Sequence, residues 1–135
     1  MELAQPSEKL ILIVDDDESI RDLLEFIIKK EGFKVEKCSN GKEALQKAKE
    51  LSPDLIILDL MLPGYGGFEI LRELQMYDTA HIPIIIITGK YMDRTTSEMI
   101  KMEPNVKEFI QKPIKNALLT ATIHKILGTK PQINK

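Results

Sequence analysis

The sequence predicts an α/β domain built on a five-stranded parallel sheet with helices on both faces. Short, wholly apolar runs recur at residues 10–14, 55–58 and 84–87, as strands buried on both faces require. Stretches with apolar residues at helical spacing lie between them. Such alternation of strand and helix implies right-handed crossovers and a parallel sheet.

The elements follow in chain order. Residues 10–14 form the first strand, and Ile20, Leu23, Leu24, Ile27 and Ile28 mark the first helix, with Asp17 as its N-cap and Gly32 as its stop. Residues 33–38 read as an edge strand because polar side chains interrupt the pattern. Asn40 with Glu43 makes a capping box for a second helix through Ala44, Leu45 and Ala48. Pro53 precedes the third strand and Pro83 the fourth, with a helix through Ile70, Leu71 and Leu74 between them. A fourth helix carries Met92, Met99 and Met102, read either as an adaptable docking surface or as core packing of one or two of them. Residues 108–111 make a second edge strand. Pro113 suits the first turn of a last helix through Ile114, Leu118, Ile123 and Ile126 to Gly128. The chain divides into an N-terminal tail over 1–8, the domain over 9–127 and a frayed tail over 128–135.

With 135 residues the chain holds one core. Its 43% hydrophobic and 30% charged residues exclude disordered, collagen-like and disulfide-stapled classes. A net charge of −2 gives no basic face, so direct nucleic-acid binding is not expected. The lone Cys38 makes no intramolecular disulfide and reads as a small core or half-buried residue, which fits a cytoplasmic setting. No apolar run approaches the ~20 residues of a membrane span, so no membrane insertion is expected. His81 and His124 stand isolated and read as exposed or partly packed side chains.

In doubly wound sheets the ligand site lies outside the carboxyl ends of the strands. There the sequence places Asp15, Asp16 and Asp17 after the first strand, Asp59 at the end of the third, Thr88 at the end of the fourth and Lys112 before Pro113 after the fifth. Carboxylates gathered at one edge repel one another unless a cation neutralises them. All-oxygen ligands favour Mg²⁺, or Mn²⁺ in its place. Beside such an ion Asp59 can act as a nucleophile toward phosphorus, because the metal screens two anions from each other. Thr88 can bind a phosphoryl oxygen and Lys112 supplies the remaining positive charge. The bland readings are a solvated acidic turn for Asp15 and Asp16, a mere strand end for Asp59, a turn hydroxyl for Thr88 and a surface lysine for Lys112.

Residues 13–17, the run Asp59-Leu60-Met61-Leu62-Pro63 with Gly67, Thr88-Gly89 and Lys112-Pro113, in this order and spacing, resemble the receiver domains of two-component response regulators, the chemotaxis-regulator type among them. The resemblance runs from about Lys9 to Leu127. It implies a flavodoxin-like sheet of order 2-1-3-4-5 and often a cis Lys112-Pro113 bond. It makes Asp59 the phosphoacceptor, gives Asp16 and Asp59 direct metal contacts, has Asp15 act largely through metal-bound water and adds the main-chain carbonyl of Met61. Thr88 and Lys112 would bind the phosphoryl group. Thr88 and Phe109 would form the switch, with Phe109 lacking the hydroxyl of the more usual tyrosine, and partners would meet the face of the fourth helix, fifth strand and fifth helix. Met61 and Lys90 occupy positions that tune dephosphorylation.

The chain departs from that pattern in three places. Tyr65-Gly66-Gly67 replaces Met-Asp-Gly, the stretch from Thr88 to Lys112 is slightly long, and Asn105-Val106 replaces Gly-Ala, with Asn105 expected to supply the left-handed backbone of the glycine.

The expected function is a phosphorylation switch, not an enzyme with independent substrates, although it helps catalyse its own phosphorylation and dephosphorylation. Its expected partners are a histidine kinase or phosphotransfer protein, and a downstream target or an output domain outside this chain. The alternatives are a small Mg²⁺-dependent phosphohydrolase with Asp15 as nucleophile, and an unphosphorylated interaction module.

Overall fold

The computed structural model describes residues 3–62, 67–89 and 94–131. Strands β1 (Leu10–Val14), β2 (Lys34–Cys38), β3 (Leu55–Asp59), β4 (Ile84–Thr88) and β5 (Val106–Gln111) alternate with helices α1 (Glu18–Lys30), α2 (Gly41–Leu51), α3 (Gly67–Leu74), α4 (Arg94–Lys101) and α5 (Asn116–Leu127). The sheet is parallel throughout, in the order β2-β1-β3-β4-β5.

The three apolar runs became the central strands because they alone can bury both faces. Their residues divide by alternation. Leu12, Val14, Ile56, Leu58, Ile84 and Ile86 pack toward Ala44, Ala48, Ile70, Leu74 and Ile100 of α2, α3 and α4. Ile11, Ile13, Leu55, Ile57, Ile85 and Ile87 pack toward Leu24, Ile27, Ile28, Leu119 and Ile123 of α1 and α5. Each fully buried side chain of this size contributes roughly 1.5–3 kcal/mol over its exposed state.

Local signals set most boundaries. Asp17 caps α1, its Oδ1 accepting from Ser19 N at 2.9 Å and more weakly from Ile20 N at 3.4 Å. Gly32, at φ 98°, turns the chain toward β2. Asn40 Oδ1 accepts from Glu43 N at 2.8 Å, but the Glu43 carboxylate pairs with Lys47 at 3.6 Å, leaving one half of the expected capping box. Lys47 also donates to Lys37 O at 2.8 Å and thereby fastens α2 to the edge strand.

Several expectations are corrected. The second strand starts at Lys34, with Phe33 buried in the turn before it, and the fifth starts at Val106. A register shift beside Ile84 and Ile85 sets Val106 and Glu108 opposite them, so Lys107 is the extra residue of an edge whose charged side chains mask its β character. Pro113 lies outside α5. The chain uses residues 113–115 to reach the helix, whose first hydrogen bond runs from Leu119 N to Lys115 O at 3.0 Å. Leu23 and Leu118 are exposed, at 45% and 52%, while neighbouring Leu24 and Leu119 enter the core. The Lys112-Pro113 bond is cis.

Asn105 is not left-handed, since Ser52 is the sole non-glycine of positive φ among the described residues. Its buried amide does the work instead, donating to Ile82 O at 2.9 Å and accepting from Gln75 Nε2. Residues after α5 are not all a frayed tail either. Ala4 N donates to Gly128 O at 2.9 Å and Lys130 N to Ala4 O at 3.1 Å, a parallel bridge that buries Thr129. His124, expected to stand alone, is buried, with Nδ1 2.7 Å from Thr129 Oγ1 and Nε2 2.8 Å from Glu31 Oε1.

Candidate functional site

The parallel order brings the ends of β1, β3, β4 and β5 together at one edge. Asp15 follows β1, Asp59 closes β3 and Thr88 closes β4. Lys112 follows β5, where its N–H donates to Thr88 O at 2.8 Å and fixes the last two strand ends to each other. Thr88 is buried.

Asp15, Asp16 and Asp59 each offer a carboxylate oxygen within 4.8 Å of the others. Asp15 is 1% exposed and Asp59 3%, whereas Asp16 faces solvent. Lys112 Nζ lies 3.1 Å from Asp15 Oδ2 and 3.6 Å from Asp59 Oδ2, so one ammonium serves two buried carboxylates. The shorter contact is an ion pair without hydrogen-bonding geometry, which leaves Asp15 Oδ2 buried with no hydrogen bond. Asp59 Oδ1 accepts from Met61 N at 3.0 Å, while the Met61 side chain is 48% exposed.

Burial pushes the Asp59 carboxyl above its ordinary range; the charges of Asp15 and Asp16 push the same way, against the Met61 N–H and Lys112. Burial pulls the Lys112 ammonium down, yet Asp15 and Asp59 outweigh it and hold Lys112 above its ordinary value. The Asp59 shift is led by burial and reinforced by its acidic neighbours, whereas the Lys112 shift comes from the two carboxylates it serves. The donor set of carboxylates, one exposed to solvent, with a buried oxygen lacking a hydrogen bond, fits a hard divalent ion that keeps part of its water shell.

The sequence-expected side chains Asp15, Asp16, Asp59, Thr88 and Lys112 therefore gather at the carboxyl edge. Asp17 serves as the helix cap and not as a member of the acidic group. Phe109, on β5, is half-buried against the α2–α3–α4 side of the core, with Lys101 Nζ 5.5 Å from its ring centre. Pro63, Tyr65, Gly66, Lys90 and Met92 lie outside the described residues. Met99 and Met102 are exposed at 55% and 79%, so core packing does not apply to them. Cys38 is buried and its thiol is pushed up to about 12, chiefly by burial and next by the Glu43 charge, as an inert core thiol should be.

One contact escaped the sequence reading. Arg21 Nη1 donates to the main-chain carbonyl of Asp15 at 2.8 Å. Its signal was available, because a long cationic side chain four residues past an N-cap can reach back over the helix start.

A doubly wound parallel sheet with carboxylates, a threonine and a lysine converging at its carboxyl edge is the arrangement expected of the receiver domains that the sequence resembles. Residues 11–124 match the family described as response regulator receiver domain, and the chain belongs to that family, which serves two-component systems. It is 33% identical over 117 residues to the transcriptional regulatory protein AfsQ1 of Streptomyces coelicolor, covering 87% of this chain and 50% of that protein. To the alkaline phosphatase synthesis transcriptional regulatory protein PhoP of Bacillus subtilis it is 36% identical over 119 residues, covering 88% of this chain and 48% of that one. The structure of the chemotaxis response regulator CheY4 of Vibrio cholerae aligns at a TM-score of 0.79 and 28% identity, over 88% of this chain and 98% of that one. The chain thus spans about half the length of these curated relatives. Among the described residues no helix is long and apolar enough to cross a membrane.

Proposed function

We propose that Asp59 accepts a phosphoryl group from a histidine kinase or phosphotransfer protein, with Mg²⁺ held by Asp16, Asp59 and the Met61 carbonyl and by Asp15 largely through metal-bound water. The observation that carries this reading is the Lys112 ammonium set between two buried carboxylates, with Asp16 within 4.8 Å. The bond that forms joins an Asp59 oxygen to phosphorus, and the bond that breaks joins phosphorus to the donor's nitrogen, or to the acyl oxygen of a small acyl phosphate. Mg²⁺, when bound, screens the attacking carboxylate from the anionic phosphoryl group. Lys112 and Thr88 hold phosphoryl oxygens. Both carboxylates accept a main-chain N–H on Oδ1, but Lys112 Nζ lies 3.1 Å from Asp15 Oδ2 and 3.6 Å from Asp59 Oδ2, so Asp59 is the less tightly held of the two.

Phosphorylation then changes the surface of α4, β5 and α5 through Thr88 and Phe109. Phe109 lacks a hydroxyl, so the change is read as packing. The exposed Met99 and Met102 give a downstream partner an adaptable apolar contact.

Intact mass after incubation with Mg²⁺ and a small acyl-phosphate donor tests the assignment. Wild type should gain one phosphoryl group only with Mg²⁺, and Asp59→Asn should gain none. A gain that survives in Asp59→Asn but vanishes in Asp15→Asn would move the chemistry to Asp15. No gain in wild type would make the chain an unphosphorylated interaction module.

A further inference from the structure

We infer that Arg21 is a positioning residue for the divalent-cation site, acting through the main chain of Asp15. The inference rests on the cation-binding reading of the acidic edge. Asp15 is anchored at every polar point. Its N–H donates to Cys38 O at 3.2 Å, Oδ1 accepts from Asp17 N at 2.9 Å, Oδ2 lies 3.1 Å from Lys112 Nζ, and its carbonyl accepts from Arg21 Nη1 at 2.8 Å.

The last anchor differs from the others in what it controls. The Asp15 carbonyl belongs to the peptide that joins Asp15 to Asp16, so its orientation sets where the Asp16 carboxylate starts from. Asp16 is exposed, and its carboxylate makes no hydrogen bond among the described residues. Its placement beside Asp15 and Asp59 therefore depends on its backbone. Arg21 is well placed to hold that backbone: its own N–H donates to Asp17 O at 3.0 Å, so the first turn of α1 fixes its stem while the guanidinium reaches back.

Charge and positioning predict opposite signs. A guanidinium near a cation site repels the cation, so deleting its charge alone would tighten Mg²⁺ binding. Releasing the Asp15–Asp16 peptide would instead scatter the ligands and weaken it, as loss of a ligand-orienting contact does.

Calorimetric titration with MgCl₂ on wild type, Arg21→Met and Arg21→Lys, beside thermal unfolding in cation-free buffer, decides between them. We expect Arg21→Met to bind Mg²⁺ about tenfold more weakly. Arg21→Lys, which keeps the charge and one donating nitrogen but not the planar fork, should fall about threefold below wild type, and it carries the test by itself if the methionine variant does not fold. Phosphoryl uptake from a small acyl phosphate should need correspondingly more Mg²⁺ for its half-maximal rate and reach the wild-type rate at saturation. Unchanged affinity with a lowered unfolding temperature would make Arg21 a fold-stabilising residue only and overturn the inference. Tighter binding would overturn it in favour of charge. A wild type that takes up no Mg²⁺ would remove the cation site itself, and the inference with it.

Discussion

The acidic edge and the His124 corner both bury polar side chains, and they balance them differently. Around His124 each ring nitrogen has a partner. Glu31 can only accept, so Nε2 donates to it at 2.8 Å, while Nδ1 meets the Thr129 hydroxyl at 2.7 Å and the ring leans on Phe33 with centres 5.1 Å apart. At the acidic edge two buried carboxylates share one lysine, and Asp15 Oδ2 has no hydrogen bond. A satisfied cluster stabilises the fold, whereas an over-charged one costs stability and holds it ready for a ligand. The difference sets a fully partnered histidine apart from an under-partnered aspartate.

The largest expected effect comes from breaking the satisfied cluster. His124→Ala should lower stability by about 2–3 kcal/mol, because it removes a buried ring and leaves Glu31 and Thr129 without it. Urea unfolding measures this, and phosphoryl uptake should stay at the wild-type level. A loss of uptake with intact folding would erase the distinction between the two corners.

The over-charged cluster should respond in the opposite direction. Asp59→Asn in cation-free buffer should raise stability by about 1 kcal/mol, since it removes a buried carboxylate charge that its acidic neighbours also repel. The pH dependence sharpens this. The Asp59 carboxyl is raised in the folded state, so its contribution is full below its ordinary value and is lost as pH rises through the raised one. Wild type should show that decline in unfolding free energy, the asparagine variant should lack it, and Mg²⁺ should flatten it. Equal slopes in both proteins would show that Asp59 is not the group under repulsion.

The smallest effect tests backbone strain with no chemistry attached. Ser52 caps α2 at φ 45°, a left-handed conformation unfavourable for a side chain. Ser52→Gly should stabilise by about 0.5 kcal/mol in the same urea assay. Destabilisation would mean that the serine side chain makes a compensating contribution.

The central strands were legible because an apolar run of four or five residues bounded by turn residues has few other uses, and the site because parallel topology gathers strand ends. The edges were harder. Val106 and Lys107 extend β5, but an edge strand needs charge on its outer positions, which hides the alternation that would betray it. Asn105 was misread because a residue that commonly replaces glycine in turns here uses its side chain, bridging Gln75 and Ile82 from elements distant in the sequence. His124 failed for the same reason. Glu31 lies 93 residues away, and only the packing of α5 beside α1 joins them.

The parallel bridge between Ala4 and Thr129 gives the domain a mechanical character. Its hydrogen bonds hold the first described segment of the chain directly to the last. Tension applied at both ends reaches this ladder before it reaches the sheet. Because the two segments run in the same direction, the pull acts along them, and the bonds resist together in shear instead of opening one after the other like a zip. The central strands carry no load until that clasp has slipped.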